Sequence, residues 1–168
     1  MKYPILEKMF DGEIPKSIFE IGCGGAGLLK EVSDNFGGLR VGGLDSSKVR
    51  MENAKNVFPE VSFLLHDLND PIPIEDNSFD IVFSVCVLGY ILNPEPVIRE
   101  MLRICRDKII LAEYHDSKLD EYGGFLVATM SDRKEVLVRR NYEKLFNNLG
   151  REISLEDGGQ TDKSIIKC

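Results

Sequence analysis

Five short, nearly continuous apolar runs dominate the pattern of hydrophobic positions along this chain. In order, they are SIFEI, GGLRVGGLD, VSFLLHD, FDIVFSVCVLGYI and DKIILAEYH. Between them, residues 26–35, the segment after Asp45 and the segment NPEPVIREMLRICR carry apolar side chains at helical spacing. Runs that are apolar at almost every position are typical of parallel strands buried on both faces. The alternation therefore predicts a parallel α/β sheet built from right-handed βαβ units.

The C-terminal part of the chain has a weaker pattern. It predicts a helix from about Arg140 to Asn148, stopped by Gly150, and then two strands, Glu152 to Glu156 and Ser164 to Cys168. No linker, repeat or low-complexity segment divides the chain, so we predict a single domain over residues 1–168.

One basic stretch, SDRKEVLVRRNYEKLF, admits two interpretations. We expect its cations to form the solvated face of the last helical region, while arginine pairs that bind a phosphate or carboxylate of a substrate are the alternative. The cations in question are Arg133, Lys134, Arg139 and Arg140.

Composition excludes several classes of function. The formal net charge of −7 opposes binding to phosphate backbones, which argues against nucleic acid as a partner. The four cysteines are scattered without a C-x-x-C pair and there are only two histidines, so no metal site is predicted and reduced, cytoplasmic thiols are expected. No stretch approaches the roughly 20 apolar residues that cross a bilayer, and the first residues lack the apolar core of a signal peptide. We therefore expect a cytoplasmic protein without membrane contact.

Acidic residues stand at the ends of the first three predicted strands: Glu20, Asp45 and Asp67. In a parallel sheet, ligands bind beyond these carboxyl ends. Glu20 precedes a glycine turn whose G-x-G-x-x-G spacing also fits a dinucleotide. However, a carboxylate about 4 Å from a pyrophosphate charge costs about 4 kcal/mol at an effective dielectric near 20, whereas it favours an ammonium or sulfonium.

Each of the other two acids fits part of an adenosyl group. Asp45 can accept hydrogen bonds from two adjacent ribose hydroxyls, and Asp67, with the backbone N–H of Leu68, can bind the amino edge of adenine. Capping and turn roles remain open alternatives for both carboxylates. Taken together, the three acids describe S-adenosylmethionine better than a dinucleotide.

The motifs, in this order, resemble those of the class I S-adenosylmethionine-dependent methyltransferases over nearly the whole chain. The resemblance is carried by SIFEIGCGGAGLL, VGGLDSSKVRMENAK, FLLHDLNDPIPIEDNSFDIVFSVCVLGYI and IREMLRICRDKIILAEY. It implies a Rossmann-like three-layer sandwich with a mostly parallel seven-stranded sheet of order 3-2-1-4-5-7-6, the last strand antiparallel. The implied cofactor is S-adenosylmethionine, with S-adenosylhomocysteine as product. The implied cofactor-binding residues are Glu20, Gly22, Cys23, Gly24, Asp45, Ser46, Asp67, Leu68, Ser84 and Cys86.

Three departures from the family pattern are visible. Ala26 stands where many members have a third glycine, Tyr90 replaces a histidine that follows the fourth strand in many of them, and RDK replaces the usual Pro-Gly-Gly before the fifth strand. None of these changes removes an implied cofactor contact. The match of Gly27 to a dinucleotide motif is interpreted as incidental.

The resemblance implies direct transfer of a methyl group to a small-molecule acceptor. Similarity to methyltransferases of surface-polysaccharide synthesis suggests a sugar or nucleotide-sugar. Tyr114 and His115, the last two residues of the fifth apolar run, are candidate catalytic residues, with a surface-loop role for His115 as the alternative. The short segments at both ends predict an open site, for a large acceptor or one enclosed by a homodimer. A non-catalytic adenosyl-binding or scaffold protein and an NAD-dependent oxidoreductase remain alternative functions.

Overall fold

Strands and helices alternate along the first two thirds of the computed structural model, which describes residues 14–115, 117–118, 124–130, 133–157 and 164–167. This part contains β1 (Ser17–Ile21), α1 (Gly27–Phe36), β2 (Arg40–Asp45), α2 (Lys48–Val57), β3 (Phe63–Leu65), β4 (Phe79–Val85), a 3-10 turn (Leu88–Tyr90), α3 (Glu95–Ile104) and β5 (Cys105–Glu113). The remaining elements are β6 (Gly124–Met130), β7 (Arg133–Arg139), α4 (Tyr142–Asn148), β8 (Ser154–Asp157) and β9 (Ser164–Lys167).

The main sheet is mostly parallel, with β1 at its centre. β1 pairs in parallel with β2 and β4, and β3 and β5 extend the sheet on either side. The full strand order is β3-β2-β1-β4-β5-β9-β8, in which β9 is antiparallel to both of its neighbours. The predicted Rossmann-like α/β class is confirmed, and the first five strands have the implied order 3-2-1-4-5.

Successive side chains of the central strands pack into two separate cores, as the period of two along a strand requires. Ile18, Phe83 and Ile110 face one way and pack with Leu29 of α1 and Met51 of α2. The neighbouring positions belong to the other core, which is completed by side chains from α3 and α4. Its members include Phe19, Val82, Ile109, Ile98, Met101, Leu145 and Phe146. The helices therefore cover both faces of the sheet, which gives three layers.

Side-chain caps mark the starts of two helices, α2 and α4. Ser47 caps α2, its hydroxyl accepting from the backbone N–H of Arg50 at 3.4 Å. Asn141 caps α4 in the same way, its Oδ1 accepting from Lys144 N at 3.1 Å. These side chains satisfy backbone donors that have no partner inside the helix.

The basic stretch before α4 differs from expectation. Residues 133–139 form the strand β7, which pairs with β6 in a separate two-stranded sheet, so their assignment to the last helical region is wrong. The register sets Val138 opposite Phe125 and Val136 opposite Val127, and this alternation of β-branched residues favours a strand over a helix. The side chains of Arg133, Lys134 and Arg139 lie outside the described part, as does Cys168 of the predicted last strand.

The glycines of β2 allow a testable prediction about packing. A Cβ on Gly43 would lie 2.8 Å from Cys23 Cβ and 3.0 Å from Leu29 Cδ1, both in a buried core. We expect Gly43→Ala to lower the free energy of unfolding by about 1–3 kcal/mol, because a filled core must shift to admit the methyl group. Urea denaturation followed by circular dichroism measures this change.

Gly27→Ala is the matched control for this substitution. Gly27 is the first residue of α1, and a Cβ there would meet no atom within 4 Å. The control should be neutral or stabilise the protein, because alanine is the better helix former. Equal destabilisation by both substitutions would contradict the packing argument.

Candidate functional site

A cleft of about 780 Å³ opens at the carboxyl ends of β2, β3 and β4. One side is formed by the glycine turn, the end of β2 and the loop after β3. The other side is formed largely by residues 86–93, which we call the cleft wall. Six of the residues implied by the family resemblance line this cleft, namely Gly22, Asp45, Ser46, Asp67, Leu68 and Cys86.

The glycine turn between β1 and α1 requires glycine at one position in particular. Gly22 has a φ of +71°, and a Cβ on it would lie 2.4 Å from Cγ2 of Val87 in the cleft wall. Backbone conformation and close approach thus both exclude a side chain there. Gly24 also has a positive φ, whereas Gly27 is an exposed residue of α1. Gly27, the third glycine of the G-x-G-x-x-G spacing, therefore lies outside the turn.

Cys23 lies beneath the turn. Its side chain is buried in the core with Leu29, and its backbone N–H donates to Leu44 O at 2.9 Å. Burial raises the pKa of the Cys23 thiol, and the nearby charges of Glu20 and Asp45 raise it further. The thiol therefore stays protonated and serves as a packing group.

Asp45 ties the glycine turn to the start of α2. Its Oδ2 accepts from Gly24 N at 3.0 Å, and its Oδ1 accepts from Ser47 N at 2.8 Å. The residue is only 6 % exposed, and Arg50 Nη1 lies 3.8 Å from Oδ2. Each carboxylate oxygen keeps a second lone pair, so Asp45 can hold the turn and still accept hydrogen bonds from a ligand in the cleft.

Glu20 is the most electrostatically constrained group of the site. The residue is 4 % exposed, and its Oε2 has no hydrogen-bond partner among the described residues. Burial raises the pKa of Glu20 to about 8, with a further contribution from the negative charge of Asp45. Two buried carboxylates this close cannot both stay ionised at low cost, so the pair favours a cationic partner.

Asp67 and Leu68 lie on the rim of the cleft, after β3. Asp67 is exposed, and its Oδ1 accepts from both the backbone N–H and the side-chain amide of Asn69, at 2.9 and 2.8 Å. Leu68 is half-buried beside it. Asp67 therefore has a fixed orientation at the rim.

Ser84 and Cys86, at the end of β4, have different surroundings. Ser84 is fully buried, and its hydroxyl donates to Glu113 Oε1 at 3.0 Å, away from the residues that line the cleft. Cys86 lines the cleft with a φ of +57°, and its backbone N–H donates to Ala112 O at 3.0 Å. A non-glycine residue in this conformation marks a strained turn at the start of the cleft wall.

Two charged residues that the sequence did not single out for this site support the cleft wall. Glu113, at the end of β5, accepts from the backbone N–H groups of Val87 and Leu88 at 2.9 and 3.1 Å. Arg140, just before α4, donates to the carbonyls of Leu88 and Leu92 at 2.7 and 3.1 Å and also to that of Ile91. Both charged residues are fully buried.

Glu113 and Arg140 differ in whether the sequence pattern could have identified them as part of the site. Glu113 is a fourth acid at a strand end, so the rule that identified Glu20, Asp45 and Asp67 also applies to it. Arg140 was visible only as one cation of a basic stretch. Its burial removes it from the set of cations that can contact an acceptor phosphate.

Tyr114 and His115 follow β5 and are half-buried. His115 Nδ1 accepts from the backbone N–H of Tyr142 at 3.2 Å, and the carbonyl of Tyr114 accepts from Arg140 N at 3.2 Å. Neither is among the described residues that line the cleft. Their catalytic role stays a prediction, and the geometry shows them joining β5 to α4.

Two structural features are absent from the described residues. No group of three or more His, Cys, Asp or Glu side chains among them is placed to hold a metal ion. None of the described helices has the length and apolar character needed to span a bilayer.

Solved structures share this fold at low sequence identity. An S-adenosylmethionine-dependent methyltransferase from Mesorhizobium loti aligns over 98 % of this chain and 95 % of its own, with a TM-score of 0.69 and 15 % identity. DesVI of Streptomyces venezuelae aligns over 96 % and 85 %, with a TM-score of 0.72 and 13 % identity. The plantazolicin methyltransferase BpumL, in complex with SAH, aligns over 69 % and 44 %, with a TM-score of 0.54 and 19 % identity. These likenesses show the fold.

Sequence comparison shows the family. The curated norajmaline N-methyltransferase of Rauvolfia serpentina is 27 % identical over 143 residues, which are 80 % of this chain and 46 % of that protein. The chain thus spans about half the length of this relative. Residues 19–112, more than half of the chain, match the methyltransferase domain family. The chain belongs to that family and is a member of the class I S-adenosylmethionine-dependent methyltransferases.

Proposed function

We propose that the protein binds S-adenosylmethionine in the cleft and transfers its methyl group to a small-molecule acceptor. The observation that carries this proposal is the buried Glu20 carboxyl group beside Asp45, with one oxygen lacking a hydrogen-bond partner among the described residues. Glu20 is not among the described residues that line the cleft, but Gly22, two residues further along the chain, lines it. An ammonium group bound at the glycine turn would satisfy that oxygen and offset the negative charge, whereas a pyrophosphate would add like charge.

The residues present fit the remaining parts of this cofactor. Glu20 and the glycine turn would hold the methionyl part, Asp45 and Ser46 the ribose, and Asp67 with Leu68 the adenine. Asp45 accepts bonds from two loop N–H groups, so it is already oriented before a ligand arrives. Such preorganisation lowers the entropic cost of binding.

The chemistry divides between cofactor and protein. The sulfonium supplies a methyl group that is already activated towards nucleophiles. The protein has to align the acceptor with that group and exclude water. The cleft wall serves the second purpose, because Tyr90 and Leu92 present apolar surface at the mouth of the cleft, 49 % and 77 % exposed respectively.

The class of acceptor is the finer part of the proposal. The proposal that the acceptor is a sugar or nucleotide-sugar rests on the sequence resemblance and on the cations Arg133, Lys134 and Arg139. Arg140 is not one of these cations, because it is buried. The related norajmaline N-methyltransferase is named for methylation of a nitrogen, and the exposed surface of Tyr90 and Leu92 at the cleft favours an acceptor with apolar surface. A homodimer that encloses the acceptor and a cytoplasmic location both stay predictions.

Thermal shift with three ligands tests the assignment of the cofactor. We expect S-adenosylmethionine and S-adenosylhomocysteine at a hundredfold excess over Kd to raise Tm by about 5 °C or more, and NAD to have no effect. Stabilisation by NAD alone would overturn this assignment and favour the NAD-dependent oxidoreductase. Methyl transfer from labelled S-adenosylmethionine to a nucleoside diphosphate sugar and to a fused-ring amine then tests the acceptor class. Cofactor binding without transfer across a broad panel of acceptors would favour a non-catalytic adenosyl-binding protein.

Asp45→Asn tests the proposed ribose site. Both carboxylate oxygens face backbone N–H donors, so an asparagine must direct its NH₂ group against one of them. We expect the affinity for S-adenosylhomocysteine to fall about tenfold or more, measured by isothermal titration calorimetry. The control Asp34→Asn changes an exposed carboxylate of α1 that pairs only with Lys30 among the described residues, and it should bind like the parent. Equal affinity of both variants would refute the role of Asp45.

The raised pKa of Glu20 predicts a pH dependence of binding. In the free protein Glu20 is protonated below about pH 8, whereas a cationic ligand favours its ionised form. Binding of S-adenosylmethionine must therefore release a proton, and the affinity should rise with pH up to pH 8, by up to about tenfold per unit. Calorimetry in buffers of different ionisation enthalpy measures the proton directly.

Glu20→Gln supplies the control for this experiment. Because the pKa of Glu20 is raised from 4.5 to about 8 on folding, its contribution to stability is full below pH 4.5 and is lost progressively as the pH rises to about 8. The variant should accordingly be more stable than the parent at pH 8.5. It should also bind S-adenosylmethionine more weakly there and lack the proton release assigned to Glu20. Unchanged proton release in the variant would assign the proton to another group.

A further inference from the structure

Backbone polar groups of the cleft wall need partners from outside the wall. Its only regular structure is the 3-10 turn Leu88–Tyr90, which ends with one bond from Ile91 N to Leu88 O at 3.2 Å. Such a turn leaves its following carbonyls without helical partners. The carbonyls of Ile91 and Leu92 accept instead from a single guanidinium group, that of Arg140, which also donates to the carbonyl of Leu88.

The backbone N–H groups at the start of the cleft wall also have a partner outside the wall. Glu113 Oε1 accepts from Ser84 Oγ, Val87 N and Leu88 N at 3.0, 2.9 and 3.1 Å. A buried carboxylate thus binds the N–H groups of the wall, and a buried guanidinium binds its carbonyls. Glu113 Oε2 and Arg140 Nε have no hydrogen-bond partner among the described residues, and apart from the bond from Ser84 Oγ, the side-chain hydrogen bonds given above for both groups go to the cleft wall.

The position of the wall affects both sides of the cleft. Val87 packs against Gly22 closely enough to exclude any Cβ there, and Tyr90 and Leu92 line the mouth. A displacement of the wall therefore changes the glycine turn on the cofactor side and the apolar surface on the acceptor side together. Misplacement by about 1 Å can cost 100-fold in rate when reacting groups must be aligned.

We propose that Arg140 is a positioning residue for methyl transfer, which acts with Glu113 to hold the cleft wall against the glycine turn. The effect on cofactor binding and methyl transfer rests on the proposed function. That Arg140 and Glu113 hold the cleft wall in place does not depend on the proposed function. Arginine suits this role because its planar fork reaches several acceptors at once, which the single ammonium of lysine cannot do.

The experiment uses a fluorescent reporter on the wall. The chain contains no tryptophan, so Leu92→Trp introduces a single one at a position whose side chain is 77 % exposed. Acrylamide quenching of this reporter and calorimetric affinity for S-adenosylhomocysteine are measured in the reporter protein alone and with Arg140→Met, Arg140→Lys or Arg151→Met added. Arg151 is exposed and follows α4, so its substitution removes the same charge from the surface.

With Arg140→Met, we expect the quenching constant to rise by up to about 1.3-fold, the most that a position already 77 % exposed allows, because the wall opens locally. The affinity for S-adenosylhomocysteine should fall about tenfold, because buried carbonyls lose charged donors. Arg140→Lys should give intermediate values, and Arg151→Met should match the reporter protein.

The outcomes separate positioning from a merely structural role. A lower Tm of Arg140→Met with unchanged quenching and affinity, measured well below Tm, would overturn the proposal. If Arg140→Met does not fold, Arg140→Lys decides, and values equal to those of Arg151→Met refute the inference. Failure of the parent protein, without the reporter, to bind S-adenosylhomocysteine refutes the proposed function instead, and a rise in quenching with Arg140→Met would still support the fixing of the wall.

Discussion

The parallel pairing of β1 with β2 and β4 is the constraint on which the rest of the structure depends. Its register sets Ile21 beside both Leu44 and Ser84, so the three strands end at one edge of the sheet. Everything that follows these strands, including the glycine turn, Asp45 and the cleft wall, must therefore meet at this edge. The cleft is thus a consequence of strand topology, and the side chains at the strand ends determine what it binds.

Electrostatics makes the burial of Glu20 costly for the folded protein. Burial raises the pKa of Glu20 to about 8, and the negative charge of Asp45 adds to that rise. A neutral residue at position 20 would be easier to bury, so stability alone does not account for the glutamate. The proposed cationic ligand would account for it, since its ammonium group would supply the partner that Glu20 Oε2 lacks among the described residues. Unfavourable burial in the free protein and favourable binding therefore arise from the same carboxyl group.

The sequence predicted those parts of the site that depend on local pattern. Apolar runs located the first five strands, and the residues at their ends include Glu20, Asp45 and Asp67. The hairpin of β6 and β7 and the burial of Arg140 were not predicted. A guanidinium that binds the carbonyls of Leu88 and Leu92 is related to them only through the tertiary fold, across about 50 residues of sequence. Periodicity and motif spacing carry no information on such a contact, and the surrounding basic residues suggested a solvated face.

The cleft wall contacts both the glycine turn on the proposed cofactor side and the proposed acceptor side of the cleft. A loop anchored only by its own turn could adapt to each acceptor, but it would also release the glycine turn that Val87 packs against. The buried pair of Glu113 and Arg140 binds the backbone of the wall and leaves the side chains of Tyr90 and Leu92 directed to the cleft. Because the anchors contact only backbone atoms of the wall, its side chains can vary without loss of the anchoring bonds. Acceptor preference can therefore change at positions 90 and 92, while the alignment that the cofactor requires is kept by residues outside the cleft.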